Sequence, residues 1–207
     1  MALIKLNNRG VRNVSTFGSV GGGSMTFIKK LTASSSSTLS FVDGSASVVL
    51  DDTYKEYLFT FKNIHAGTDS GQFGFNGSTD SGSNYNVAKT TTFFNGLHFE
   101  SGTTARISYE TGRDLAQGTG VQVMTVNQSD DADSASSGYL HIFNPSSTTF
   151  AKQFFSRVAN MNTGSNYAAQ DNFMAGYFNT ASAVDAIQFA MDSGNIYAGD
   201  ICLYGIK

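Results

Sequence analysis

The chain has 207 residues, enough for one all-β domain with a sizeable core, and a formal net charge of −3. Charged residues make up 14% and aromatic residues 13%, nearly all Phe and Tyr, so Ser, Thr, Asn and Gly fill positions where charges normally sit. That balance argues against steering of charged ligands; no apolar stretch is long enough to cross a bilayer, and a single cysteine, Cys202, excludes an internal disulfide.

Residues 1–24 read as an extended basic arm. It contains Asn7-Asn8 and Arg9-Gly10 and ends in the hinge Gly21-Gly22-Gly23-Ser24. Its apolar anchors would be Leu3, Ile4, Leu6, Val11 and Phe17, with Arg9 and Arg12 between them, and its expected place is the surface of a partner protein. Residues 1 to 42 carry five basic side chains and no acid, while the rest carries eight basic and sixteen acidic ones. Such sparse charge, with no basic and aromatic interleaving, argues against nucleic acid. Ala2-Leu3-Ile4 is too short for a secretory signal, so synthesis in a cytoplasm is expected.

Residues 25–207 read as a single β-sandwich. Met25 to Leu31 is a first strand, and Thr38 to Val42 with Ser47 to Leu50 predicts a hairpin around Asp43-Gly44. Tyr54 to Ile64 is the clearest strand: Tyr57, Phe59 and Phe61 alternate with Thr60 and Lys62, the period of a half-buried extended chain. Gln72 to Asn76 follows, then the polar loop Gly77 to Asn86, then Val87 to Phe99 with a turn at Asn95-Gly96. Arg106 to Thr111 and Val121 to Val126 come next, before the acidic loop Gln128 to Ser137. The remaining strands are Gly138 to Phe143, Phe150 to Met161, Phe173 to Phe178, Ala186 to Met191 and Asp200 to Ile206. Pro145 sits in a turn, and only Asp114 to Gln117 and Thr180 to Ala186 suggest a helical turn. A dozen short strands at this spacing predict an all-β, jelly-roll-like antiparallel sandwich with an N-terminal arm.

Motifs for a nucleophile elbow, a zinc protease, a phosphate loop or a dinucleotide site are all missing, so no catalytic residue and no cofactor is expected. His98 and His141 with Glu100 are the best two-histidine, one-carboxylate combination, but their spacing is not specific, and no metal site is expected. Asp130, Asp131 and Asp133 lack the regular spacing of a calcium loop and read as a solvated acidic loop. Candidate recognition residues in the outer loops are Asn84, Tyr85, Asp130, Asp131, Asp133 and Tyr167. With no Trp, a sugar-stacking platform would need rings such as Tyr85, Tyr167 or Tyr197.

Several segments carry a resemblance: the opening MALIKLNNRGV, the run FNGSTDSGSNYNV, the run LHIFNPSSTTFAK, the stretch AGYFNTASAVDAIQFAMDSGNI and the ending AGDICLYGIK. The last four, in order, resemble small accessory virion proteins of tailed, podovirus-like phages of marine and cyanobacterial hosts, over residues from about 54 to the C-terminus, and the opening resembles the short start shared by many phage tail-fibre and virion proteins. The resemblance implies a non-enzymatic virion structural protein, made in the host cytoplasm and built into the particle. Within it, a capsid decoration or cement protein anchored by its arm to the major capsid protein or another virion protein comes first, as a homo-trimer. The alternative is a receptor-binding or carbohydrate-binding tip of a tail fibre or spike, which would take a host surface glycan. The chain has no coiled-coil shaft before the sandwich, which favours decoration.

Overall fold

A computed structural model describes residues 24–163 and 167–207. Within them lie twelve β-strands and no helix: β1 (Met25–Ser36), β2 (Thr38–Val42), β3 (Glu56–Ala66), β4 (Phe73–Ser78), β5 (Lys89–Phe99), β6 (Ala105–Tyr109), β7 (Gln122–Val123), β8 (Ser136–Phe143), β9 (Lys152–Asn162), β10 (Ala168–Phe178), β11 (Ala186–Met191) and β12 (Ile196–Ile206). They form an eight-stranded sheet in the order β1-β12-β3-β8-β9-β10-β5-β6 and a four-stranded sheet in the order β2-β11-β4-β7. Every pairing is antiparallel. The two sheets pack as a sandwich.

Alternation in the sequence sets the inward faces. Tyr57, Phe59 and Phe61 of β3 are buried, and so are Phe73 and Phe75 of β4 and Ile187, Phe189 and Met191 of β11. The sheets meet through these rings. Phe59 lies 5.2 Å from both Phe41 and Phe189, Phe61 lies 5.0 Å from Phe73, and Phe75 lies 5.1 Å from Phe154, all edge to face. Each such contact is worth about 0.5–1.5 kcal/mol beyond the area it buries.

Four local expectations need correction. The turn at Asp43-Gly44 forms, with Gly44 at φ +73, but Ser47 to Leu50 is not a strand. Val48 folds back onto Gly44 and Ser45 through backbone bonds, Leu50 donates its N–H to Asp43 Oδ1, and β2 pairs with β11 instead. Val48 and Leu50 are still buried, so their apolar character reflects the core rather than a ladder. Asn95-Gly96 is no turn: β5 runs straight through and pairs with β10 on one side and β6 on the other. Asp114 to Gln117 and Thr180 to Val184 form bends and coil, not helical turns, and β11 begins at Ala186. Val121 to Val126 shrinks to the two-residue strand β7 because Thr125 turns its hydroxyl to accept the Phe73 N–H. Cys202 is half-buried on the outward side of β12.

Residues 1–23, and with them the expected arm residues Leu3, Ile4, Leu6, Arg9, Val11, Arg12 and Phe17, lie outside the described residues.

Candidate functional site

The half of the large sheet farthest from β1 carries an aromatic outer face. Strands β5, β9 and β10 alternate buried and outward residues, so the chain pairs Phe93-Phe94 and Phe154-Phe155 each put one ring inside and one outside. The register aligns the outward residues in rows. One row runs Tyr109, Phe94, Phe173, Arg157, Tyr139 across β6, β5, β10, β9 and β8. The next runs Thr92, Ala175, Phe155, His141, Leu58. On the other side of the first row lie Ile107, Gly96, Asp171, Ala159 and Ser137.

The rings form a continuous layer. Phe94 stacks on Phe173 at 4.9 Å, the rings nearly parallel, and the Arg157 guanidinium lies 4.9 Å over the Phe173 ring. Arg157 also makes a forked pair with Asp171, Nε to Oδ1 at 3.0 Å and an amino nitrogen to Oδ2 at 2.6 Å, which holds its pKa above the usual guanidinium value. Phe155 contacts Tyr139, His141 and Phe143 within 6.2 Å. His141 Nε2 lies 3.1 Å from Glu56 Oε2, yet burial of the imidazole outweighs that carboxylate and lowers its pKa.

Small residues leave hollows between the ridges. A groove of about 870 Å³ is lined by Gly96, Ile107, Tyr139, Arg157, Ala159 and Asp171 among others. A second, of about 670 Å³, lies between Thr92, Phe143, Phe155, Ala175 and Tyr177. At Gly138, on the edge of the first groove, a Cβ would collide with the Arg157 carbonyl, so no side chain fits there. Both hollows are broad and shallow. Their lining can hold flat apolar or amphipathic surface, and it offers no nucleophile with a base beside it.

The outer-loop residues split between opposite ends of the sandwich. Asn84 and Tyr85 follow β4 at the end where β11 begins. There Asn84 is engaged within its own loop, donating to Asp80 through its N–H at 2.9 Å and its side-chain amide at 2.7 Å. Those bonds, with the Ser78 hydroxyl as the largest contributor, lower the Asp80 pKa to about 2. Tyr85 is half-buried against Gly82. Asp130, Asp131, Asp133 and Tyr167 gather at the other end. A cleft of about 440 Å³ is lined there by Glu100, Asp131, Asp133, Met161 and Tyr167. The hydroxyls of Ser129 and Tyr167 hold the Asp131 carboxyl below its usual pKa, and Asp131 in turn raises that of Tyr167. Beside it, a groove of about 680 Å³ contains His65, Asp130, Asp133 and the exposed Tyr197, whose ring stands 5.5 Å from His65.

The histidine pair does not meet: His98 aligns with Ala105 and Ala169, His141 lies in another row beside Glu56, and Glu100 faces Tyr167. Among the described residues, no three His, Cys, Asp or Glu side chains converge as metal ligands. The aromatic outer face is the feature the sequence reading missed, although the adjacent pairs Phe93-Phe94 and Phe154-Phe155 signal it, because a strand cannot bury both members on one side. No family model, curated protein or solved structure matches this chain, so its function is argued from this geometry.

Proposed function

We propose that this chain is a non-enzymatic structural protein of a bacteriophage virion, in the first instance a decoration or cement protein of the head shell. The order β1-β12-β3-β8 beside β2-β11-β4-β7 is what results when a long hairpin rolls up into two facing sheets, and we read it as a jelly roll. Strands β5, β6, β9 and β10 are then a four-strand extension of one sheet. The observation that carries the reading is the aromatic face of that extension. It is open, nearly balanced in charge, and built from the residue types that bind protein surface. The resemblance of four segments to phage accessory proteins supplies the setting, with the protein assembling onto the particle after synthesis in the host.

In this reading, residues 1–24 dock on the major capsid protein through Leu3, Ile4, Leu6, Val11 and Phe17, with Arg9 and Arg12 meeting acidic groups. Ordering such an arm costs about 1–2 kcal/mol per residue, which only buried anchors can offset. Deleting residues 1–24 is expected to abolish binding to particles assembled without this protein. Undiminished copy number per particle would end the arm-anchored reading. Immunogold labelling of virions separates head from tail.

One observation favours a second reading, a receptor-binding tip. The end bearing Asp131, Asp133, Tyr167 and Tyr197 combines carboxylates with exposed rings, the pairing that suits sugar hydroxyls and sugar faces. Purified protein that stains host cells, and loses that staining with Tyr167→Ala and Tyr197→Ala, would place recognition there and displace the head assignment.

A further inference from the structure

We propose that the outer aromatic face of the eight-stranded sheet is covered by a second copy of this chain. The first argument is size. Five strands about 4.8 Å apart and four residue rows about 6.8 Å apart, the three described above and the row Thr90, Tyr177, Gln153, span roughly 650 Å². Buried against an equal face, that makes about 1,300 Å², above the roughly 1,000 Å² a specific interface needs. The second is composition: the face concentrates Phe, Tyr and a single Arg and carries no Lys between β6 and β8, which is the make-up of an interface core rather than of a solvated sheet. Ile107 is 82% exposed in the single chain, at the margin of this face.

The third argument is self-complementarity. The ridge Phe94, Phe173, Arg157, Tyr139 stands next to the groove over Gly96, Ala159 and Asp171. A ridge from one copy fits the groove of the next, and doing so sets Arg157 of one beside Asp171 of the other. A glycan would need more hydrogen-bonding groups than this face offers, and nucleic acid would need more than one basic side chain. The same ridge-into-groove contact closes reciprocally in a pair or cyclically in a ring of three, so the order of assembly decides the closure and not the occupant. This inference rests on the same aromatic face as the virion reading, but its test uses the purified protein alone, so either can fail without the other.

The test is sedimentation of the full chain at about 10 μM, a concentration at which a complex with a micromolar dissociation constant is largely formed. The wild type is expected to sediment as a discrete oligomer. Ile107→Asp and Arg157→Asp are each expected to weaken association at least tenfold, and the double reversal Arg157→Asp with Asp171→Arg to restore it. Ile107 is exposed and the Arg157–Asp171 pair lies at the surface, so these changes leave the fold intact, which circular dichroism checks. A monomeric wild type overturns the proposal, as does an oligomer indifferent to all three substitutions. A monomer that associates only after removal of residues 1–23 also overturns it, and assigns the face to that segment.

Discussion

The two halves of the large sheet are backed by different chemistry. Strands β1, β12, β3 and β8 lie against the small sheet, and the space between is filled by rings, with Phe189 touching Phe41, Phe59, Phe61 and Phe73. Strands β9, β10 and β5 set amides, hydroxyls and amines inward among rings such as Phe93, Phe154 and Phe178, and loop segments cover these polar positions. Asn172 donates to Asn160 Oδ1 at 2.7 Å and to the Val158 carbonyl at 2.9 Å, and Asn160 in turn donates to the Val126 carbonyl at 3.1 Å. Thr91 donates to Gln122 Oε1 at 2.6 Å, and Gln122 donates to the Arg113 and Val123 carbonyls. Lys89, wholly buried, donates to Asn76 Oδ1 at 2.6 Å and to the Val87 carbonyl at 3.0 Å, and Lys152 donates to the Thr180 carbonyl at 3.2 Å. The lesson is that a sheet can be covered without a second sheet, provided side chains satisfy the irregular backbone that covers it. The first half is held by volume, and the second by hydrogen-bond geometry as well.

The largest expected effect tests the ring-filled half. Phe189→Ala should cost about 3–5 kcal/mol, since its cavity would be lined by rings from both sheets that cannot all collapse into it. Denaturant titration measures this, and a cost under about 1 kcal/mol would mean the rings do not form a single packed unit.

The polar half should respond to pH between 8 and 10, where Lys89 titrates. Burial lowers the Lys89 pKa from 10.5 to about 8. Between those values the unfolded chain holds a proton that the folded chain has lost, so stability rises with pH across that window, by about 3 kcal/mol over its full width. Tyr57, its hydroxyl buried and donating to the Asp51 carbonyl, has a raised pKa and acts in the opposite sense above pH 10. The rise is therefore best read between pH 8 and 10. Lys89→Met should remove most of it, with Lys152, whose pKa burial also lowers, supplying the remainder, and a wild type with flat stability over that range would remove the buried-cation account.

Asn172→Ala comes next, at about 1–3 kcal/mol, because it leaves the Val158 carbonyl and Asn160 Oδ1 without their donor inside the protein. The same substitution at exposed Asn84 should cost less, since water replaces its partners. A smaller effect belongs to His141. Its lowered pKa means the unfolded chain takes up a proton first as pH falls through 6.5, so folding weakens there, and His141→Phe should blunt that loss in acid titrations followed by circular dichroism.

Much of this fold is legible in the chain. The alternation through Tyr57, Phe59 and Phe61 identifies both the strand and its inward face, and Ile187, Phe189 and Met191 do the same for β11. The Pro145 turn also stands where the sequence puts it, closed by the Ser147 N–H on the Asn144 carbonyl. The misplaced hairpin shows where local reading stops. Asp43-Gly44 makes its turn, but the partner of β2 is β11, more than a hundred residues on, and no local signal names it. The candidate site divides in the same way: the acidic loop with Tyr167 is visible as composition, whereas its separation from Asn84 and Tyr85 depends on the route of the strands.

What the sequence determined alone is which residues face inward along each strand, because a period of two needs only the chain's own geometry. Strand order, the loops that cover β5, β9 and β10, and the row that brings Phe94, Phe173, Arg157 and Tyr139 together were decided by tertiary structure. Those neighbours come from four different strands, and their alignment is set by pairing register between segments far apart in the chain.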